Sequence, residues 1–493
     1  MSVKRECEVV SGEGKALILI HVDTLRRDHL GCYGYKRATS PNIDKLAEEG
    51  VVCENAYSTD VPTIPYYTST FTGMRGTSTS VVWEEDLSPG IQFFMRSLAA
   101  NGTLTAAVST LSLWKPWFTK DFHIFMNPVA GQPRRIQQVD ADEINSYAFK
   151  FIRENRDRNF FLWLHYWDPH TYYSPPEEYR DMFKRASWTP PNYLEMDWSE
   201  SQYFLPEVRK LWEAKYRYGY LYLGLPTPSG KGRGEAKIDY ELLVNLYDGE
   251  IAYVDKCIGD LMSTIEDCRL TDRVMVIVTS DHGECHGEHD DIFNHVDVYE
   301  PTVHVPLVIW SPTHLPSGVR LNGLVQNIDL APTILDFFGV ENPRGLEGIS
   351  LIPYLTGESC GPIRRYVFSD TGLAQCSRMI FDGRWKLVET IHRGLWEKYA
   401  NPELYNLEKD PLEKKNLCLV EREKTDELQL VLHRSLMERL NHRPDPLRIT
   451  AQRKPPQYRR AMKFLGLNEE KLESLRKKYG KEKQPKGLTP VWK

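Results

Sequence analysis

Three short runs, Ala16–Val22, 160–165 and Val274–Thr279, are apolar without alternation, and a carboxylate follows each within three residues: Asp23, Asp168 and Asp281. A strand with one wet face alternates polar and apolar residues, whereas a strand covered on both faces does not. The runs therefore predict parallel strands buried between helices. A further strand is expected over 105–109. Ser40-Pro41 opens a helix through Glu49, with Ser40 as its cap. Further helices are expected over 93–100 and about 242–267. This alternation predicts an α/β fold: a mostly parallel sheet sandwiched by helices, with its chemistry at the C-terminal strand ends.

From about residue 364 the pattern changes. Segments 366–368, 377–381 and 385–389 read as short strands separated by turns such as Asp382-Gly383, and 429–440 as an amphipathic helix. A small C-terminal antiparallel sheet plus helix is expected there. The implied organisation is a catalytic α/β domain over 1–360, an antiparallel subdomain over 361–445 and a basic tail over 446–493, whose last stretch, 471–493, reads as a helix followed by a loose, solvated tail. Within the first domain, 184–239 is an aromatic, Pro- and Gly-containing insertion with Tyr193, Trp198, Tyr203, Phe204, Trp212 and Tyr216. It follows Asp168-Pro169-His170, so it is expected either to shape substrate access or to cover part of the sheet.

The bulk numbers exclude several classes. A chain of 493 residues can bury a large core, and a net charge of -6 gives no basis for nucleic-acid binding. No run of 18 apolar residues occurs, so no transmembrane segment is expected. Nine cysteines lie scattered without a CxxC pair, and residues 1–15 have no apolar core of a secretory signal. A cytoplasmic enzyme is expected.

Asp23 ends the first run, and a carboxylate there beside Thr24 suits a hard divalent cation. A lone strand-end Asp is commonly a helix cap; its weight comes from company. Asp281-His282-Gly283-Glu284 ends another run and adds an oxygen and an imidazole. A mixed Asp/His set suits Zn, Mn or Mg.

The chain resembles the sulfatases of the alkaline phosphatase superfamily over about residues 16–417. The resemblance rests on Asp23-Thr24-Leu25-Arg26-Arg27-Asp28-His29-Leu30-Gly31-Cys32-Tyr33-Gly34, on Ser280 to Glu284 with Gly287-Glu288-His289, and on Tyr299-Glu300 before Val305-Pro306-Leu307-Val308-Ile309. It continues in Gln326-Asn327-Ile328-Asp329-Leu330-Ala331-Pro332-Thr333-Ile334-Leu335, in Gly348 to Leu351, and in Glu403 to Pro411. Residues Val61 to Gly73 are similar to the family's nucleophile segment, Cys-x-Pro-Ser-Arg followed by Thr-Gly: Thr63 stands at the cysteine, Pro65, Thr72 and Gly73 match, and Tyr66-Tyr67 replace Ser-Arg.

The resemblance implies an alkaline-phosphatase-like fold and one divalent ion (Mn, Zn, Mg or Ca) held by Asp23, Asp281, His282 and Thr63. It implies Thr63 as nucleophile, His170 at the transferring group and His295 near the leaving oxygen. His170 and His295 also read as hydrogen-bonded structural histidines. Lys115 and Tyr67 are the candidates for holding the substrate. The chain departs from the family where Thr24 replaces a second carboxylate, and where 108–117 replaces a Gly-Lys-Trp-His-Leu-Gly segment.

Threonine is not a substrate for oxidation to formylglycine, and relatives that transfer phosphoryl groups carry threonine there. The leading expectation is therefore a metal-dependent hydrolase or transferase of phosphate mono- or diesters. The alternatives are a sulfatase acting on sulfate esters and a non-catalytic binding relative. The expected partner is a small-molecule, glycan or lipid ester, with no nucleic acid and with homo-oligomerisation left open.

Overall fold

The computed structural model describes residues 14–132, 137, 139–183, 240–290, 292–395, 400–464 and 466–480. The aromatic insertion at 184–239 lies outside the described residues, as do residues 481–493.

The main sheet contains β1 (Ala16–Val22), β2 (Val51–Tyr57), β4 (Leu104–Val108), β5 (Ile124–Met126), β6 (Phe160–Tyr166), β7 (Val274–Thr279), β10 (His304–Val305), β11 (Leu307–Trp310) and β12 (Val319–Gln326). Its order is β10-β2-β11-β7-β1-β6-β4-β5, with β12 also on β2. From β7 to β5 every pair is parallel, while β10 and β11 run antiparallel to their neighbours. All residues of β1, β6 and β7 are buried. Ile18 of β1 lies level with Leu162 and Val276 on its two neighbours. Such strands carry apolar side chains on both faces because helices cover both. The helix Pro41–Glu49 and the helix Ala141–Asn155 pack on the long helix Tyr240–Asp267. The helix Thr63–Thr72 packs on Leu330–Phe337.

One local expectation fails. Ser40 gives no side-chain cap to the helix Pro41–Glu49. Its Oγ instead accepts the Gly31 N–H (2.9 Å) and donates to Asp44. The cap comes from Asp255 of the long helix, whose two oxygens accept the N–H groups of Asn42 and Ile43 at 3.0 and 2.8 Å. A carboxylate there satisfies two orphan donors and faces the positive end of the helix.

The second sheet, order β16-β15-β14-β13-β3, joins β13 (Val367–Thr371), β14 (Cys376–Phe381), β15 (Trp385–His392) and β16 (Glu403–Asn406) in antiparallel fashion. Its last member, β3 (Asp60–Val61), pairs with β13 in parallel and lies just before Thr63. The C-terminal sheet thus holds the segment that leads into the helix Thr63–Thr72. The helix expected over 429–440 spans Arg422–Leu440. Within the basic stretch after 445 lie helices Pro446–Arg453, Pro456–Phe464 and Glu469–Gly480. They bury Leu447, Tyr458, Met462 and Leu472, and this apolar area keeps the segment docked. No helix among the described residues is long and apolar enough to cross a membrane.

Candidate active site

Because β1 lies between β6 and β7 and all three run parallel, their C-terminal ends bring Asp23, Asp281-His282 and the 165–170 segment to one edge. Asp23, Asp281 and His282 are fully buried, and one ligand atom from each lies within 4.8 Å of the others. The Asp281 Oδ1 accepts the N–H groups of Thr24 (3.2 Å) and His282 (2.9 Å). Among the described residues, Asp23 Oδ1 and Asp281 Oδ2 have no hydrogen-bond donor. Burial raises the pKa of Asp23 well above the carboxylate range, and Asp281 and Glu284 raise it further. Burial raises Asp281 as well. Two orphaned carboxylate oxygens in a buried acidic cluster fit a divalent cation, whose charge would offset their desolvation.

The imidazole orientation agrees. His282 Nδ1 lies 2.9 Å from the Gly283 carbonyl, so Nδ1–H donates there and the Nε2 lone pair faces the cluster. That Nε2 is 3.2 Å from Asp281 Oδ2 and 3.4 Å from Thr63 Oγ1. Thr63 is the first residue of its helix, where backbone N–H groups favour an anion. The helix stops at Gly73, whose φ of 62° lies in the left-handed region.

Asn327 holds this helix from outside. Its Nδ2 donates to Ser69 Oγ (2.9 Å) and Thr70 Oγ1 (2.8 Å), and its Oδ1 accepts the Thr59 N–H at 2.7 Å. The loop after β1 is pinned by Tyr247, whose hydroxyl donates to the Thr24 carbonyl (2.7 Å) and accepts the Arg26 N–H (2.8 Å). Thr24 itself is β-branched with φ 58°, a strained conformation, and its buried Oγ1 has no hydrogen-bond partner among the described residues.

The other expected residues divide. His295 stacks on His282 with ring centroids 4.3 Å apart, and its Nδ1–H donates to the buried Glu284 Oε1 at 3.1 Å. His170 meets His295 edge-on at 5.2 Å. Its Nδ1–H donates to the Thr171 carbonyl (2.7 Å), and Gln137 Nε2 lies 3.3 Å from its Nε2. Burial first, then His295, lowers its pKa to about 3, so the ring is neutral and brings no positive charge. Tyr67 is buried in the cluster's wall, beside His165 and Trp163. Lys115 is not drawn into this cluster: its ammonium pairs with Asp86 (2.7 Å) and the Glu84 carbonyl (2.8 Å), both outside the metal-ligand set.

Two residues escaped the sequence reading. Glu284 was read only as part of a motif, and His165 only as the end of an apolar run. His165 Nε2 lies 3.3 Å from Asp23 Oδ2 and its Nδ1 lies 3.1 Å from Ser109 Oγ. Ser109 Oγ accepts the Leu111 N–H (3.2 Å), so its own proton points at Nδ1 and the His165 Nε2–H points at Asp23. Burial, with His21 and His170, lowers the His165 pKa well below its usual value. A neutral imidazole of fixed tautomer thereby orients Asp23.

A sequence model described as Sulfatase matches residues 15–340, and one described as N-sulphoglucosamine sulphohydrolase, C-terminal, matches residues 287–442. An arylsulfatase of Clostridium perfringens is 25% identical over 481 residues, covering 85% of this chain and 94% of its own. An N-acetylglucosamine-6-O-sulfatase of Bacteroides thetaiotaomicron is 23% identical over 474 residues, covering 81% of this chain and 82% of its own. Among solved structures, one in complex with its substrate D-glucosamine-2-N,6-O-disulfate superposes with a TM-score of 0.74 at 21% identity, over 88% of this chain and 99% of the other. A phosphonate monoester hydrolase from Silicibacter pomeroyi gives 0.68 at 21% identity, over 88% and 96%. These two share the fold. With a family match over most of the catalytic sheet, and with Asp23, Thr63, Asp281 and His282 gathered at one strand edge, the chain belongs to the sulfatase family and is an ester hydrolase of the alkaline phosphatase superfamily.

Proposed function

We propose that this enzyme hydrolyses esters whose transferring group carries one negative charge, with sulfate esters as its substrates. The observation that carries this is the charge of the site. Among the described residues, the charged groups that act on Asp23, Asp281 and His170 are carboxylates and imidazoles. A single cation balanced against Asp23 and Asp281 leaves little positive charge over. A sulfate monoester has one negative charge. A phosphate monoester, with a second pKa near 6, is a dianion at neutral pH, so of the esters expected from Thr63 it suits this site least. The relatives named arylsulfatase and N-acetylglucosamine-6-O-sulfatase, matched along more than four-fifths of the chain, support sulfate.

Asp23, Asp281, His282 and Thr63 would hold the divalent ion, which when bound neutralises charge and lowers the pKa of the threonine hydroxyl. Thr63 Oγ, on the first turn of its helix, attacks the central atom of the transferring group. The new bond to Oγ forms as the bond to the leaving oxygen breaks. His295, with Nδ1–H anchored on Glu284, delivers a proton from Nε2 to that leaving oxygen. Water then cleaves the threonine ester. His295 Nε2, deprotonated in the first step, accepts a proton of that water, while neutral His170, with Nδ1–H held by Thr171, braces the His295 ring.

A second reading is favoured by Thr63 itself: a phosphodiester or phosphonate monoester, also monoanionic. A formylglycine hydrate expels sulfate by collapsing to an aldehyde, whereas a threonine ester must be cleaved at the transferred group. The likeness to a phosphonate monoester hydrolase agrees with this reading. The test is turnover of 4-nitrophenyl sulfate, bis(4-nitrophenyl) phosphate and a 4-nitrophenyl phosphonate, with Mn, Zn, Mg or Ca and an intact-mass check of Thr63. Sulfate turnover above the other two supports the proposal. Phosphodiester or phosphonate turnover alone replaces it with the second reading. Thr63→Ala should abolish turnover and Thr63→Ser should retain part of it, because the oxygen nucleophile survives.

A further inference from the structure

The hydroxyl of Tyr67 is buried and has no hydrogen-bond partner among the described residues. A buried O–H in a protein interior is ordinarily paired, and one that is not calls for a ligand or another explanation. Its place in the helix supplies one. Tyr67 follows Thr63 by four positions within the helix Thr63–Thr72, so the two side chains leave the same face. The ring is fixed by its neighbours: His21 at 5.0 Å, His165 at 5.0 Å and Trp163 at 5.2 Å between centroids. The His165 ring against it reaches Asp23, its Nε2 lying 3.3 Å from Asp23 Oδ2, so Tyr67 lines the wall of the acidic cluster. Burial, Asp281, Asp23 and Tyr66 all raise the pKa of the phenol. The O–H thus belongs to a side chain on the Thr63 side of the helix.

We infer that Tyr67 is a catalytic residue whose O–H donates a hydrogen bond to a non-bridging oxygen of the transferring group. The inference rests on reading this site as a hydrolase of monoanionic esters. It adds the group that makes the selection. A neutral donor stabilises charge gathering on that oxygen as the bond to Thr63 Oγ forms, and it adds no positive charge to the ground state. An arginine at this position would attract a dianion; a phenol does not.

The test uses the full-length protein and Tyr67→Phe, which deletes one oxygen and keeps the ring packing. Five quantities are read: kcat and KM on 4-nitrophenyl sulfate and bis(4-nitrophenyl) phosphate, metal content, thermal midpoint, and calorimetric affinity of the metal-loaded protein for inorganic sulfate. The expected result is a kcat lower by about 10²–10³-fold on whichever ester is turned over, the usual loss for one such donor. KM should change little, metal content and thermal midpoint should hold, and sulfate affinity should fall about tenfold. Unchanged kcat and sulfate affinity would overturn the inference. So would a loss of bound metal in step with the loss of kcat, which would make Tyr67 a support of the metal site. If the wild type turns over neither ester, the hydrolase reading fails on its own; sulfate affinity still decides Tyr67, with an unchanged value in Tyr67→Phe overturning it.

Discussion

Replacing Asp23 by asparagine separates the electrostatic cost of this site from its benefit. Without a cation, burial, Asp281 and Glu284 raise the Asp23 pKa well above the carboxylate range, so a charge on Asp23 is costly in the folded state. An amide has nearly the same shape and carries no such charge. Its carbonyl can accept from the His165 Nε2–H, and its NH₂ can donate to the unsatisfied Asp281 Oδ2. In chelator the variant should therefore be as stable as the wild type or more so. With metal the order should reverse. A ligand at about 100 times its Kd stabilises the folded state by about 2.7 kcal/mol. At about 2.1 cal/mol/K per residue, 493 residues give an unfolding entropy of about 1 kcal/mol/K, so the wild-type midpoint should rise by about 3 °C. If losing one of two carboxylates weakens binding about 100-fold, the same metal concentration yields about 0.4 kcal/mol and less than 1 °C. Differential scanning fluorimetry of both proteins, with and without metal, reads these midpoints. An Asp23→Asn protein that keeps the full metal-induced shift would refute the assignment of Asp23 as a ligand.

Glu284→Gln weakens the hold on His295 Nδ1, so turnover should fall about tenfold or more on esters with alkyl or sugar leaving groups and much less on 4-nitrophenyl esters; equal losses would count against His295 as the proton donor. Lys115→Met should leave kcat/KM within about twofold, because its ammonium is engaged by Asp86 and the Glu84 carbonyl; a loss of tenfold or more would restore it as a substrate contact. Stability should fall in acid. Burial opposes ionisation of Glu300, but Lys386 at 2.9 Å overcomes it and holds the folded-state pKa below the unfolded value of 4.5. That contribution is present above pH 4.5 and is lost as pH falls below it. Lys386→Met should flatten this acid limb in urea titrations and, by leaving Glu300 and Glu413 without their shared cation, cost about 3–5 kcal/mol at neutral pH; an unchanged acid limb would sink the assignment.

What the sequence made legible follows from the range of the interactions. The strands β1, β6 and β7 were readable because burial on both faces is written into every residue of each run. Asp23, Asp281 and His282 were readable because strand ends in a parallel sheet converge without help from side chains. The cap of the helix Pro41–Glu49 was not: Ser40 looks like a cap locally, and the group that does the work is Asp255, more than 200 residues away. His165 sat within an apolar run, and only the neighbouring positions of β1 and β6 place it against Asp23. Lys115 misled for the same reason. A cation in the right stretch of chain suggested an anion site, while its acidic partner Asp86 lies 29 residues upstream and is invisible to local pattern.

The segment Gln326 to Asp329 positions the helix that carries Thr63. Gln326 Oε1 accepts from Arg75 at 2.8 Å, Asp329 Oδ2 accepts the Gln326 N–H at 2.8 Å, and Asn327 grips Ser69 and Thr70. The helix they hold is buried yet rich in hydroxyls. Thr68, Ser69, Thr70 and Thr72 turn their protons onto carbonyls of the preceding turn, which satisfies polar groups that burial would otherwise penalise. None of these bonds uses the side chain of residue 63 or residue 67. The scaffold therefore fixes where the nucleophile stands without fixing what it is. That independence lets the departures fall at Thr63 and Tyr67, beside the metal ligands, while the surrounding frame stays that of the family. It also means that substitutions at 63 and 67 should change chemistry with little change in fold, whereas Asn327→Ala, which leaves the Thr59 N–H and two helix hydroxyls without their partner, should cost stability and activity together. A fully active Asn327→Ala protein with an unchanged thermal midpoint would refute this division between frame and chemistry.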